Sequence, residues 1–124
     1  MATSVHLVMW GSRTEQQPAD AQQALNPAQS IREHLQRALA TRYPMSRIYA
    51  LRVRQEERIV DGLLCMGHCI MFAIAIRPEP DLACSPGELE ARMESLLSVA
   101  LLRLYCPVHV DAVWVTVGGE AARG

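Results

Sequence analysis

The sequence predicts an α+β fold with a four-stranded antiparallel sheet and two helices on one face. Two observations predict it. Segments of strand and helix periodicity follow one another in the order strand, helix, strand, strand, helix, strand. The Asp61-Gly62 dipeptide also separates two long strand-like segments, as in a tight hairpin. Two right-handed crossovers then place the first and third strands in the centre of the sheet and the second at an edge.

The composition is that of one soluble globular domain spanning residues 1–124. Half of the residues are apolar and a fifth are charged, which is ordinary for a folded chain. The formal net charge is -1, so no global field favours nucleic acid or an anionic membrane. All twelve cationic side chains are arginine. Codon bias in a GC-rich, bacterial-like genome explains this, and selection for bidentate donors is the alternative.

The cysteine usage and the apolar runs bear on location. Four cysteines at irregular spacing are typical of reduced thiols. No basic leader precedes the first apolar run, and the run at 63–76 falls short of the roughly 20 residues that span a membrane. We therefore expect a cytoplasmic protein that does not enter the membrane.

The first strand and the first helix are separated by a long polar segment. Residues 5–10 form a short apolar run and predict a strand. Residues 11–26 are rich in Gln and Ala and predict a mobile loop. Asn26 is a candidate N-cap before Pro27, and Pro44 ends the helix. The predicted apolar face of this helix is Ile31, Leu35, Ala38, Leu39 and Tyr43.

Residues 47–60 and 63–76 predict one long hairpin around Asp61-Gly62. That dipeptide suits a two-residue turn because both positions need a positive φ. The first half of 47–60 alternates in polarity. Its predicted faces are Tyr49, Leu51 and Val53 on one side and Arg52 and Arg54 on the other.

The second helix begins with a capping box. Ser85 can accept a hydrogen bond from the amide of Glu88, three residues later. The apolar stripe that follows is Leu89, Met93, Leu96, Leu97, Ala100, Leu101 and Leu104. Val99 and Leu102 widen the stripe, which predicts that this helix is the more deeply buried of the two.

The last strand, at 109–117, follows Pro107, and residues 118–124 predict a frayed tail. The element order is then complete, and it is that of the ferredoxin-like βαββαβ plan. This superfold hosts regulators, enzymes, chaperones and inhibitors, so the likeness does not by itself imply a function.

Cys65, His68 and Cys69 raise the question of a metal site. If 63–76 is a strand, the two cysteines share a face about 13 Å apart and His68 lies on the other face. One tetrahedral zinc cannot reach all three. We therefore expect no metal here, and cysteines that pack as small hydrophobes.

A second cluster, Cys106, His109 and Asp111, lies where the second helix leads into the last strand. Cys106 and His109 could meet around Pro107, so a two- or three-ligand metal site is the alternative there. Metal motifs usually contribute paired ligands from two places, and the sequence offers no second pair. The expectation is no metal and no cofactor.

The two faces of the 63–76 strand differ in side-chain size. One carries Leu64, Met66, His68, Ile70, Phe72 and Ile74, and the other carries Leu63, Cys65, Gly67, Cys69, Met71, Ala73 and Ala75. The small-residue face suits close approach of the helices. The large-residue face would then be an open apolar patch, which needs a cover. A second copy in a two-fold homodimer is the expected cover, and the 11–26 loop or a longer chain context is the alternative.

Two candidate sites follow. The first is a ligand chamber between subunits, lined by His6, Trp10, Met66, His68 and Phe72, which would suit an enzyme or a small-ligand or haem binder. The second is the arginine edge of Arg52, Arg54 and Arg58. These charges either protect an edge strand from aggregation or contact an anionic partner.

The sequence shows no nucleophile triad, phosphate loop or dinucleotide fingerprint. The function expected first is a cytosolic, non-catalytic binding or regulatory module that self-associates and contacts a protein partner. The chamber enzyme is the second expectation. Nucleic-acid binding by the arginine edge is the third, disfavoured by the near-zero net charge.

Overall fold

The computed structural model describes residues 3–12, 27–77 and 85–117. Its elements are β1 (Thr3–Ser12), α1 (Pro27–Ala40), β2 (Arg47–Val60), β3 (Leu63–Ile76), α2 (Pro86–Leu101) and β4 (Val108–Val117). The strands form one antiparallel sheet in the order β2-β3-β1-β4. The predicted α+β class is confirmed, and so is the placement of β1 and β3 in the centre and β2 at an edge. Gly11 and Ser12, predicted to begin the 11–26 loop, belong instead to β1, where they pair with β3. The rest of that predicted loop and the predicted 118–124 tail lie outside the described residues, as do residues 78–84.

The β2-β3 hairpin forms around the predicted turn. Asp61 has φ 51° and Gly62 has φ 80°, the positive values that a tight two-residue turn requires. β2 pairs with β3 up to Val60 and Leu63, whereas β1 pairs with β3 only as far as Gly67. The outer end of the hairpin, residues 57–66, therefore extends past β1 as a two-stranded arm, called the hairpin arm below.

Both helices bury the stripes that their spacing predicts. α1 buries Ile31, Leu35 and Leu39. At the start of α2, the Oγ of Ser85 accepts a hydrogen bond from the amide of Glu88 at 3.2 Å, which confirms half of the capping box. The buried residues of α2 are Met93, Leu97, Ala100 and Leu101.

The prediction that Val99 and Leu102 widen the buried stripe of α2 is wrong. Their exposed fractions are 65% and 50%. Leu102 lies nine positions after Met93, and nine steps of about 100° turn half a circle away from the buried face. No helix in the described part of the chain is long and apolar enough to cross a membrane.

The helices cover the large-residue face of β3, not the small-residue face, so that expectation is wrong. Ile70, Phe72 and Ile74 join one core cluster with β1 and both helices. Close packing explains the choice, because large side chains fill the layer between sheet and helices and small ones would leave voids. The apolar surface that implied a covering partner is therefore inside the core.

A β-bulge in β2 changes which residues share its faces. Tyr49 pairs with Ala73 and Arg52 pairs with Met71, so Ala50 and Leu51 together lie opposite one residue of β3. Ala50 has φ 55°, in the left-handed region. Tyr49 therefore lies on the arginine face, and the prediction that it shares a face with Leu51 is wrong.

Candidate binding surface on the open sheet face

The face of the sheet opposite the helices is called the open face. Its central strand β3 contributes small side chains, and the edge strands β2 and β4 contribute long polar and aromatic ones. Cys69 and Ala73 of β3 are buried, whereas Arg52 and Arg54 of β2 are exposed. The open face is therefore polar at its edges rather than a continuous apolar patch.

One end of the open face is closed by a cluster around Trp10. The indole is fully buried, and its Nε1–H donates to the carbonyl of Glu56 at 2.9 Å. It lies against Gly67, where an added Cβ would be 2.7 Å from two ring atoms. The guanidinium of Arg58 lies 5.1 Å from the ring centroid, and the ring of His109 lies 5.8 Å away. Trp10 is thus buried although neither α1 nor α2 covers it.

Arg58 reaches across the sheet from edge strand β2 to edge strand β4. It donates to both carboxylate oxygens of Asp111, at 2.8 and 2.5 Å, and its Nε donates to Glu56 at 2.6 Å. The hydrogen bond from Arg58 lowers the pKa of Asp111, while partial burial acts in the opposite direction. The bond to Asp111 likewise raises the pKa of Arg58, again against desolvation. Arg58 is therefore a structural cover over Trp10.

Arg52, Arg54 and Arg58 share the open face, but their surroundings differ. Arg54 makes a long ion pair with Glu56 at 3.4 Å while its side chain is 65% exposed. Arg52 is exposed, and no ion pair to it exists among the described residues. A partner could therefore reach Arg52 and Arg54 without displacing a buried contact.

A second aromatic pair lies further along the open face. His6 stacks on Trp114 with ring centroids 5.1 Å apart and planes 6° apart. The Nε2 of His6 is 3.0 Å from the hydroxyl of Thr116. Trp114 remains 44% exposed. This pair forms an aromatic surface on the β4 side, across β1 and β3 from the arginines.

The structure does not bring together the five residues predicted to line a chamber. His6 pairs with Ala73 and His68 pairs with Gly11, so the two histidines lie on opposite faces of the sheet. His68 is buried and its Nδ1 is 2.7 Å from the hydroxyl of Tyr105. Phe72 belongs to the core, and Met66 lies on the hairpin arm. Only His6 and Trp10 are on the open face.

The alternative metal ligands are also engaged separately. Cys106 is exposed, His109 lies over Trp10, and Asp111 is held by Arg58. Within residues 3–12, 27–77 and 85–117, no group of three His, Cys, Asp or Glu side chains is placed to hold a metal ion. Cys65, Cys69 and His68 lie on strand β3, as the sequence predicted.

Sequence reasoning missed the residues that hold the Trp10 cluster. From the sequence Gly67 is only one of the small residues of its strand, and nothing there indicates that Glu56 contacts Trp10. Asp111 was considered as a metal ligand and not as the partner of Arg58, 53 positions earlier. Gly67 is opposite Ser12 and Trp10 is opposite Cys69, so the indole reaches Gly67 diagonally across the two central strands. A glycine on one predicted central strand and a tryptophan on the other are the one sequence signal that could have indicated this packing.

No protein-family model matches the chain, and no curated protein matches it. Four chains among solved structures match. One is the full extracellular region of zebrafish Gpr126/Adgrg6, with 13% identity and a TM-score of 0.44. The match covers 94% of this chain and 13% of that one. A likeness this low carries no argument about function, and the fold described above rests on the strand order and the core alone.

Proposed function

We propose that this chain is a small, non-catalytic binding module of the ferredoxin-like plan, and that its open face binds an acidic segment of a partner protein. The strand order β2-β3-β1-β4 and the βαββαβ element order support the plan. The observation that supports the function is the exposure of Arg52 and Arg54 on a face that also carries the exposed Trp114. A cytoplasmic location is part of the same proposal.

The chemistry of this surface suits an extended acidic chain. Guanidinium groups donate two parallel hydrogen bonds to a carboxylate, so Arg52 and Arg54 can each hold one acidic side chain. Cys69 and Ala73 of β3 are small and buried, so a main chain can approach the sheet closely on either side of Met71. Arginine and tryptophan are also the residues most enriched among those that dominate binding energy at interfaces.

A labelled oligoglutamate peptide tests this proposal by fluorescence anisotropy. The double variant Arg52→Gln/Arg54→Gln should weaken binding by roughly tenfold or more, since two charge-assisted contacts are lost. The matched control, Arg42→Gln/Arg92→Gln, removes the same charge from exposed sites elsewhere. Equal affinity in both variants would show that the open face is not the site.

Self-association is a second candidate function, and the surface that favours it is the hairpin arm rather than the large-residue face of β3. The large-residue face is covered by helices, but the hairpin arm exposes apolar side chains. Their exposed fractions are 75% for Ile59, 70% for Leu63, 66% for Leu64 and 51% for Met66. Apolar residues clustered on a protruding element favour burial against a second copy.

Light scattering coupled to size exclusion, at two concentrations, tests the dimer. We expect the mass of two chains for the wild type and of one chain for Leu63→Ser/Leu64→Ser. The control Val99→Ser/Leu102→Ser alters a similarly exposed apolar pair on α2 and should remain dimeric. A wild-type monomer at both concentrations would refute self-association through the arm.

A further inference from the structure

A groove lies between α1 and the first residues of β2, at the edge of the sheet opposite the β4 edge that carries Trp114. Its volume is about 680 Å³, within the range of small-molecule sites. Its polar lining is Arg32, Glu33, Gln36, Arg37, Arg47 and Tyr49. The groove runs along the outer edge of the sheet, because β2 is an edge strand.

Hydrogen bonds between α1 and the chain entering β2 fix the walls of this groove. Gln36 donates to the carbonyl of Ser46 and accepts from the amide of Ile48, both at 3.1 Å. Arg32 donates to the carbonyl of Ile48 at 3.3 Å. These bonds satisfy edge-strand groups that would otherwise need water or another strand. The helix and the strand are thereby held at a defined separation.

The groove carries an excess of positive charge. Three guanidinium groups and one carboxylate line it, a balance of 3 - 1 = +2. The carboxylate, Glu33, accepts a hydrogen bond from Gln29 at 3.4 Å, one turn away. Arg37 and Arg47 are exposed, and neither makes an ion pair with any described residue. Arg37 of α1 and Arg47 of β2 are therefore both available to a ligand.

The backbone beside the groove is unusual. Ala50, which also lines it, holds the left-handed φ of 55° at the bulge of β2. A non-glycine residue in this region is strained, and such strain tends to occur at functional sites. The bulge also ends the regular edge of β2 at this point. Cationic walls and a strained edge thus coincide at one place.

We propose that this groove binds a phosphorylated small molecule, with Arg37 of α1 and Arg47 of β2 donating to its phosphoryl oxygens. Planar guanidinium groups match phosphate oxygens in bidentate geometry, and two of them in one groove favour a multiply charged group over a single carboxylate. Arg32 is already bonded to the strand and adds a fixed positive charge. The site uses none of the open-face residues Arg52, Arg54 and Trp114, so it is independent of the proposed partner binding.

Pyrophosphate is the probe, titrated into the isotope-labelled full chain at constant ionic strength and followed by amide chemical shifts. Saturable shifts should concentrate in residues 32–40 and 46–50, and Arg37→Gln/Arg47→Gln should weaken binding by tenfold or more. Arg52→Gln/Arg54→Gln carries the same charge change and should bind as the wild type does. The melting temperature of each variant confirms that it is folded.

Two results would overturn the proposal. One is the absence of saturable shifts in the groove at millimolar pyrophosphate. The other is an equal loss of affinity in both double variants, which would indicate attraction to overall charge rather than a site. If Arg37→Gln/Arg47→Gln loses pyrophosphate binding but keeps oligoglutamate binding, the groove and the open face are separate sites.

Discussion

Gly67 is the position where one added methyl group should do the most damage. A Cβ there would lie 2.3 Å from the carbonyl oxygen of Gly11 and 2.7 Å from the indole of Trp10. Contacts under 3.0 Å essentially never occur, so β1 and β3 would have to separate by about 0.7 Å or more at this point. The indole would also have to leave its buried position under Arg58. Overpacking costs about 1–3 kcal/mol and loss of a buried Trp contact about 3–5, so we expect Gly67→Ala to cost about 3 kcal/mol.

Urea denaturation followed by tryptophan fluorescence measures this cost. The native emission of Gly67→Ala should also shift to the red, because Trp10 becomes hydrated. The matched control is Gly87→Ala in the first turn of α2, where an added Cβ meets nothing within 4 Å. That change should be neutral or stabilise the fold by about 0.5 kcal/mol, since alanine is the better helix former. A Gly67→Ala variant within about 0.5 kcal/mol of the wild type would refute the packing argument.

Three further changes test other parts of the structure. Ala50→Gly should raise the free energy of unfolding by about 0.5 kcal/mol, because relief of the left-handed backbone (about 1–2 kcal/mol) exceeds the entropy cost of glycine. Ala112→Gly in β4 is its control and should lower the same quantity in urea melts. Because the pKa of Asp111 is lowered in the folded state, its ion pair with Arg58 stabilises the fold fully above the ordinary carboxyl pKa of about 4. This stabilisation is lost as the pH falls through the lowered pKa of Asp111. Urea midpoints from pH 7 to pH 2 should thus fall more steeply for the wild type than for Asp111→Asn, and parallel profiles would contradict the linkage. Gln36→Ala should cost about 1–3 kcal/mol by urea melts and speed hydrogen exchange of the Ile48 amide, whereas unchanged exchange would show that Gln36 does not cap the strand edge.

The elements that the sequence predicted well are those with local signals. The Asp61-Gly62 turn needs positive φ at two adjacent residues, and the structure has it. Ser85 caps the amide of Glu88 three residues later. Periodicity in α1 placed Ile31, Leu35 and Leu39 inside. In each case the cause lies within a few residues of its effect, so the sequence alone carries it.

The errors come from interactions between distant segments. Alternation divides β3 into two faces. Which of these faces the helices cover depends on how much side-chain volume is needed to fill the layer between the sheet and the helices. The bulge at Ala50 has no local signal, because alanine is not a residue that favours a left-handed φ. Because the bulge shifts the alternation of β2, the sequence prediction for the face of Tyr49 was wrong. The chamber hypothesis failed for a related reason, since the register between β1 and β3 decides whether His6 and His68 can meet.

Gly11 and Gly67 explain how two segments that carry histidine and cysteine pack around aromatic rings. They lie on the two central strands and act on opposite faces. Gly67 makes room for Trp10 on the open face, while a Cβ at Gly11 would lie 2.5 Å from the side chain of Tyr105. Tyr105 in turn holds His68 on the helix side. Each glycine leaves space for one aromatic ring. Glu56 accepts a hydrogen bond from the ring of Trp10, and His68 bonds to the hydroxyl of Tyr105.

The arginines of β2 look alike in the sequence but have different roles in the structure. Arg58 covers Trp10 and bonds Asp111, so replacing it should lower stability and disturb the open face together. Arg52 and Arg54 make no buried contact with the described residues, so replacing them should lower the proposed partner binding at unchanged stability. Urea melts of Arg58→Gln and of Arg52→Gln/Arg54→Gln test the distinction. An equal fall in the free energy of unfolding of the two variants would contradict it. The part of the open face left to a partner then lies between Arg52, Arg54 and Trp114, because the remainder is occupied by the cover over Trp10.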